Sequence, residues 1–228
     1  MVEKIKVSES FYSLQMEGKY MGVLSVFLRV SDCILNCNFC DSVESWKQGK
    51  DVGVEDIIKD WEQKGWMEKL QKGAHLVLTG GSPVARQKQL YNLLERLDNI
   101  FVEVETEGVI LPFKIDKYIS HYTVSPKTSN SGMSFKDRYD ITTLQWHVDD
   151  KKSYFKFVVD NEKDINEIMK DYVDKFKIQN NRVWLMPQAS TRDELIKKSS
   201  YIVELCKQYN FNYSSREHLI VWNKTTGV

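Results

Sequence analysis

Apolar residues in this chain gather into short runs at 23–30, 74–80, 99–106, 120–126, 153–160, 182–188 and 218–223, each rich in β-branched or aromatic residues and bounded by polar or turn residues. Such runs predict strands. Between several of them the period lengthens. Over 54–70, Ile57, Ile58, Trp61, Trp66 and Leu70 fall on roughly one side, and over 85–98 Leu90, Leu93, Leu94 and Leu97 do the same. This spacing predicts amphipathic helices. A further helix is expected over 191–209, where Thr191 serves as N-cap and Glu194 follows three residues on, as in a capping box. Strands alternating with helices imply right-handed crossovers and a mainly parallel sheet. A complete eight-fold barrel takes about 250 residues, so about six units fit here. The expected fold is α/β, a partial (open) βα barrel in a single domain spanning 1–228. The stretch 128–150 shows no clear period and is expected to form a loop or small excursion.

Charge narrows the range of partners. Lys+Arg 32 balances Asp+Glu 32, which weighs against a broad nucleic-acid surface. No apolar run reaches membrane-spanning length, and the opening "MVEKIKVSES" lacks the apolar stretch of a signal peptide. A cytoplasmic protein is expected, with no membrane partner and no direct nucleic-acid partner. Thiols stay reduced there, so clustered cysteines are better read as ligands or catalysts than as disulfides.

Three of the four cysteines, Cys33, Cys37 and Cys40, lie in "DCILNCNFCD" at 32–41. This loop (31–42) directly follows a predicted strand, and in parallel α/β proteins chemistry gathers at the carboxyl ends of the strands. Cys206 is the remaining cysteine and sits in an apolar helical stripe, where a free thiol packs as a small hydrophobe. Three thiolates with an open fourth position suit a 4Fe–4S cluster whose last iron binds something else. An incomplete zinc knuckle and a chance grouping are the alternatives, the first needing a fourth ligand.

C-x3-C-x2-C at this place resembles the signature of the radical S-adenosylmethionine (SAM) enzymes. "FYSLQMEGKYMG" at 11–22 followed by "VFLRVSDC", then "CDS", "LTGGSP", "ETEG", "SPK" and the tail "HLIVWNKTTGV", resemble in order and spacing the 7-carboxy-7-deazaguanine synthases. The resemblance runs from about residue 10 to residue 228. It implies conversion of 6-carboxy-5,6,7,8-tetrahydropterin to 7-carboxy-7-deazaguanine with loss of ammonia, SAM being regenerated at each turnover. It also implies Mg2+, a flavodoxin or ferredoxin as electron donor, and a homodimer.

Carried over position by position, the resemblance gives Cys33, Cys37 and Cys40 the cluster, with Phe39 and Asp41 beside the cofactor. Gly80, Gly81 and Ser82 would pass the methionyl end of SAM, with Glu105 nearby. Ser125, Pro126 and Lys127, with Met186, Pro187, Gln188 and Ala189, would meet its ribose and adenine. Leu14, Gln15, Met16 and Glu17 would meet the pterin, Glu17 accepting from its amino groups. Arg29 would hold the substrate carboxylate through its two-pronged guanidinium. Thr79, His218 and the carboxylate of Val228 would complete the pocket, and Ser42 would bind Mg2+ through oxygen. Arg29, Glu17 and Thr79 are the candidate catalytic residues.

Three positions depart from the family pattern. Ser82 stands where the pattern has glutamate, which predicts weaker SAM binding unless Glu105 or Glu107 compensates. Met16 replaces a glycine and would crowd the pterin or contact it by backbone. Glu107 replaces an asparagine and adds charge near the cofactor. Together they suggest an altered substrate or product range. Two other classes of function remain on the sequence alone, a different radical enzyme such as a glycyl-radical activase and a non-catalytic iron–sulfur protein.

Overall fold

A computed structural model describes residues 4–40 and 47–225. Its strands are β1 (Lys4–Leu14), β2 (Leu24–Val30), β3 (Lys50–Gly53), β4 (His75–Gly80), β5 (Val102–Thr106), β6 (His121–Val124), β7 (Ser153–Val159), β8 (Val183–Pro187) and β9 (Asn212–Tyr213). They form one nine-stranded sheet in the order β3-β1-β2-β4-β5-β6-β7-β8-β9. From β2 to β9 every neighbouring pair is parallel. Only β1 breaks the pattern, running antiparallel to both β2 and β3. The mainly parallel open barrel is therefore present, with an antiparallel edge that the apolar pattern does not predict.

The helices are α1 (Val54–Gln63), α2 (Trp66–Gln71), α3 (Gln87–Leu94), α4 (Phe135–Arg138), α5 (Ile141–Asp149), α6 (Glu162–Ile168), α7 (Asp174–Phe176), α8 (Arg192–Tyr209) and α9 (Glu217–Trp222). The single helix expected over 54–70 is two, because Gly65 takes φ +70° between them, a left-handed conformation that ends a helix. The expected loop over 128–150 instead holds α4 and α5. Side-chain caps set them: Ser134 accepts from the Asp137 amide and Asp140 from the Thr143 amide. The strand expected at 218–223 is α9. A short apolar run fits either state, and here Leu219 packs against Ala189 and Leu195. Thr191 caps α8 as expected, accepting from the Glu194 amide at 3.2 Å. The Glu194 carboxylate accepts from the Ser190 amide instead of from Thr191, so the reciprocal half of the box falls one residue early.

Alternation along the parallel strands divides the molecule. Leu28, Leu78, Val104, Val124, Phe157 and Leu185 join the apolar core with Trp61, Leu70, Leu90, Leu93, Ile168 and Ile202 from the helices. The opposite face of the same strands carries Arg29, Thr79, Glu105, Thr123, Lys156 and Met186 into a cavity. One face of the sheet holds the fold together, and the other is free to carry polar groups.

His121 and His147 are sealed in this framework, at 1% and 0% exposed. Burial lowers the pKa of each to about 3 from an ordinary 6.5. The unfolded chain thus takes up protons that the folded chain refuses, and stability falls as pH drops from about 6.5 towards 3. We expect a slope of about 1.4 kcal/mol per pH unit for each histidine. Urea midpoints across this range should show it, and His147→Gln should remove one histidine's share.

Candidate active site

The loop after β2 starts at Asp32, whose φ of +64° is left-handed. Two cations hold its carboxylate: Lys6 Nζ at 3.0 and 3.2 Å and Arg86 Nη2 at 2.8 Å. Cys33, Cys37 and Cys40 follow as half-buried thiols, and all three open onto the cavity. Burial pushes the Cys33 and Cys37 thiols above their ordinary pKa. Internal bonds shape the loop, with the Cys40 amide donating to Cys37 O at 3.2 Å and the Leu35 amide to Cys33 Sγ at 3.4 Å. The segment before α4 braces it from outside, since the Asn38 amide donates to Ser131 O at 2.9 Å and the Asn36 amide to Met133 Sδ at 3.3 Å. The stretch expected to be an excursion is therefore a support of the cysteine loop.

Among the described residues no three His, Cys, Asp or Glu side chains converge as ligands of a single ion would. Thiolates that bind separate irons of a cluster need not converge on one point. Three accessible thiols on one braced loop fit such a group. Alanine and glycine at Asp32 would separate the two contributions to this geometry. Both lose the ion pairs with Lys6 and Arg86, but only glycine takes the left-handed backbone without strain. Asp32→Ala should be less stable than Asp32→Gly by about 1 kcal/mol in chemical denaturation. Equal stability would show that the backbone conformation costs nothing.

The cavity, about 660 Å³, spreads from this loop across the inner face of the sheet. Gly80 and Gly81 form its wall beside the cysteines, where a Cβ on Gly81 would lie 2.3 Å from Asp32 O. Glu17 also lines the cavity. Lys156 Nζ lies 2.5 Å from its Oε2, Arg216 Nε 3.1 Å from its Oε1, and His218 Nδ1 3.9 Å from the same oxygen. Burial alone would raise the Glu17 pKa, but Lys156, Arg216 and His218 together outweigh it and hold the carboxyl well below the usual range. For Lys156 burial would lower the pKa, and the charges of Glu17 and Glu105 outweigh that. The pair is thus ionised on both sides. His218 shifts the other way, its pKa lowered by burial against the pull of Glu17.

The neighbouring polar groups are mutually held. Gln15, 3% exposed, donates to Glu103 Oε1 at 3.3 Å and Glu105 Oε1 at 3.4 Å, and its own Oε1 accepts from the amides of Met16 and Glu17. Thr79 Oγ1 donates to Glu105 Oε2 at 2.5 Å. Arg29 Nε donates to Glu9 Oε1 at 2.6 Å, which orients the guanidinium while occupying one of its donors. Two bonds join distant parts of the chain above this wall: the Gly18 amide donates to Ser214 Oγ at 2.8 Å and the Glu217 amide to Met16 O at 3.1 Å.

Of the residues singled out in the sequence, Leu14, Gln15, Met16, Glu17, Arg29, Phe39, Thr79, Gly80, Gly81, Glu105, Ser125, Lys127, Met186, Gln188 and His218 border this one cavity with the three cysteines. Lys127 Nζ donates to Ser125 O at 2.6 Å and Ser125 Oγ at 3.0 Å. Pro126, Pro187, Ala189 and Ser82 do not border it. Ser82 is fully buried, its Oγ accepting from the Ile34 amide at 3.2 Å and lying 3.6 Å from Cys33 Sγ. It is therefore turned under the cysteine loop, not into the cavity. Asp41, Ser42 and Val228 lie outside the described residues. Sequence reasoning missed Lys156 and Arg216. The one signal for Lys156 was a lysine inside the apolar strand "SYFKFVV".

Residues 17–111 match the 4Fe-4S single cluster domain family. The chain superposes on the crystal structure of QueE from Escherichia coli with a TM-score of 0.67 over 93% of each chain, at 20% identity. It also superposes on Streptococcus suis SuiB bound to S-adenosylmethionine, with a TM-score of 0.51 over 81% of this chain and 45% of that one, at 21% identity. The fold is thus a partial βα barrel, and its cysteine loop lies within the stretch that matches the 4Fe-4S single cluster domain family.

Sequence relatives go further. The 7-carboxy-7-deazaguanine synthase of Pyrobaculum aerophilum is 32% identical, across 98% of this chain and 97% of its own length. Those of Hyperthermus butylicus and Halobacterium salinarum are 31% and 32% identical, across 95% and 96% of this chain and 92% and 91% of their own. The chain belongs to the 7-carboxy-7-deazaguanine synthase family. Among its described residues no helix is long and apolar enough to cross a membrane.

Proposed function

We propose that this chain is a radical SAM lyase converting 6-carboxy-5,6,7,8-tetrahydropterin to 7-carboxy-7-deazaguanine with loss of ammonia. The observation that carries the reading is one cavity joining three accessible thiols to a carboxylate, Glu17, that Lys156 and Arg216 keep ionised at any ordinary pH. When bound, a 4Fe–4S cluster on Cys33, Cys37 and Cys40 together with SAM supplies the hydrogen-atom abstraction. The residues do the rest. Glu17 accepts from the amino groups of the pterin, and Arg29 and Thr79 meet its carboxylate side. Backbone at Gly80 and Gly81 lets the methionyl end approach closely. Ser125, Lys127, Met186 and Gln188 border the part of the cavity assigned to the nucleoside.

A Mg2+ ion held by Ser42 belongs to the same reading, as do a flavodoxin or ferredoxin as electron donor, a homodimer and a cytoplasmic location, each implied by family resemblance. Anaerobically reconstituted, dithionite-reduced protein with SAM and the tetrahydropterin tests it. Appearance of 7-carboxy-7-deazaguanine in the ultraviolet spectrum and product mass is the expected result. Formation of 5′-deoxyadenosine without that product would remove the substrate assignment. Neither product at full iron content would leave a non-catalytic iron–sulfur protein.

A further inference from the structure

The segment from Lys127 to Met133 joins the cavity to the outside of the cysteine loop. At its start Lys127 borders the cavity together with the three thiols. At its end Ser131 O and Met133 Sδ accept from the Asn38 and Asn36 amides of that loop. Between these ends the backbone makes one short 3-10 turn, Ser129–Ser131, so groups outside the segment must set its place. Three of them are Arg138 on α4, Glu167 on α6, and Tyr172 in a π-helical turn, Met169–Val173, that follows α6.

Arg138 is 5% exposed and Tyr172 is fully buried. Their polar ends meet at one atom, the Lys127 carbonyl oxygen, which accepts from Arg138 Nη1 at 2.8 Å and from the Tyr172 hydroxyl at 2.7 Å. Two donors fill both lone pairs of that oxygen and fix the peptide in two directions. Arg138 Nη2 pairs with Glu167 Oε1 at 2.7 Å. The Glu167 carboxylate in turn accepts from the Ser129 amide at 2.9 Å and from Ser129 Oγ at 2.5 Å. A buried ion pair is weak support for a fold, because well-packed apolar residues of similar volume often serve as well or better. What apolar residues cannot do is hold the Lys127 carbonyl and the Ser129 amide at set places. A π-helical turn is rare and often marks a functional site, and this one holds Tyr172 against Lys127 O.

We propose that Arg138, with Glu167 and Tyr172, positions the cysteine loop and Lys127 relative to each other, and so sets the iron–sulfur cluster against S-adenosylmethionine. This deepens the functional reading above and rests on it, adding residues that touch neither group. Asp32 fixes the loop where it leaves β2. The brace acts further along, at Asn36 and Asn38, between the cysteines. A slack brace therefore shifts Cys37 and Cys40 relative to Cys33 while the sheet stays folded.

The test compares full-length, anaerobically reconstituted wild type with Tyr172→Phe, Arg138→Met and Tyr139→Phe. Tyr139 is the control: its hydroxyl also donates to a backbone carbonyl, but to that of Asp171, at 3.0 Å. Urea midpoints are measured for each, then the rate of iron loss to a ferrous chelator, the SAM dissociation constant, and the change SAM causes in the electron paramagnetic resonance of the reduced cluster. The two tyrosine variants should lose similar stability, each having lost one hydrogen bond. Only Tyr172→Phe should lose iron about threefold faster and bind SAM about threefold more weakly. Arg138→Met, which removes a charged donor, should show about tenfold effects on both. In these two variants the resonance of the SAM-bound cluster should differ from wild type, and in Tyr139→Phe it should not. Wild-type iron retention and SAM response in folded Tyr172→Phe, or an equal defect in Tyr139→Phe, would overturn the assignment while leaving the radical SAM reading in place. A wild type that holds no cluster, or whose cluster does not respond to SAM, would overturn both.

Discussion

Lys156→Met is expected to lower kcat/KM for the tetrahydropterin about a hundredfold or more. The ammonium of Lys156, in a residue 6% exposed, is 2.5 Å from Glu17 Oε2. Removing one partner of a buried ion pair leaves the other charge uncompensated, at a cost of about 3–5 kcal/mol. Arg216 still holds the second oxygen of Glu17 at 3.1 Å, so the carboxylate does not lose all support. Its pKa should nevertheless rise, because burial raises it and Lys156 is the largest of the opposing charges. The variant should therefore lose activity as pH falls through the new Glu17 pKa and recover in more alkaline solution. Wild type keeps Glu17 ionised throughout that range. SAM affinity and iron content should not change, which distinguishes loss of the substrate acceptor from general disorder. A variant with wild-type kcat/KM and a flat pH profile would show that the ion pair serves the fold alone.

The second large effect is expected at Gly81. An added Cβ would lie 2.3 Å from Asp32 O, 2.5 Å from Asp32 C and 2.8 Å from Cys33 N. All three are backbone atoms, so no side-chain rotation relieves the clash. The cysteine loop itself must move. Gly81→Ala should lose most of its reconstituted iron and about 2 kcal/mol or more of stability. Gly73→Ala is the control. Gly73 has φ +104° but nothing within 4 Å of an added Cβ. It should show only the cost of backbone strain, about 1 kcal/mol, with full iron content. Comparable iron in the two variants would mean that the loop tolerates displacement and that close packing at Gly81 is incidental.

Much of the fold was legible because burial leaves a compositional trace. Strands β2 and β4 to β8 face helices on one side and the cavity on the other, so they read as apolar runs. Strand β1 has no such trace, since Ile5 is its only buried residue and lysine, serine and glutamate alternate with its apolar positions. Helices α4 and α5 were illegible to periodicity because Ser134 and Asp140 start them by capping. In the site, motif order was enough to bring the cysteines, Glu17, Arg29 and Thr79 to one cavity. It could not show that Ser82 turns under the loop, because spacing does not fix side-chain direction. Lys156 and Arg216 escaped for a different reason. A lysine or arginine reads as a solvated cation until the sheet's inner face is known, and the partner that makes each of them informative is far away in the chain.

The bonds that tie Gly18 to Ser214 and Met16 to Glu217 also set an order of assembly during translation. A chain emerging from the ribosome makes its cysteine loop and the Gly80–Gly81 wall within the first half of synthesis, and the segment at Ser131 and Met133 that braces the loop follows. Glu17 waits for Lys156, and then for Arg216, before its surroundings are complete. Vectorial folding therefore sets the cysteine loop and its brace in the chain before the residues that close the pocket over Glu17 are made. A product stopped short of residue 214 would keep every thiol of the cluster loop and lack the strap across the pocket.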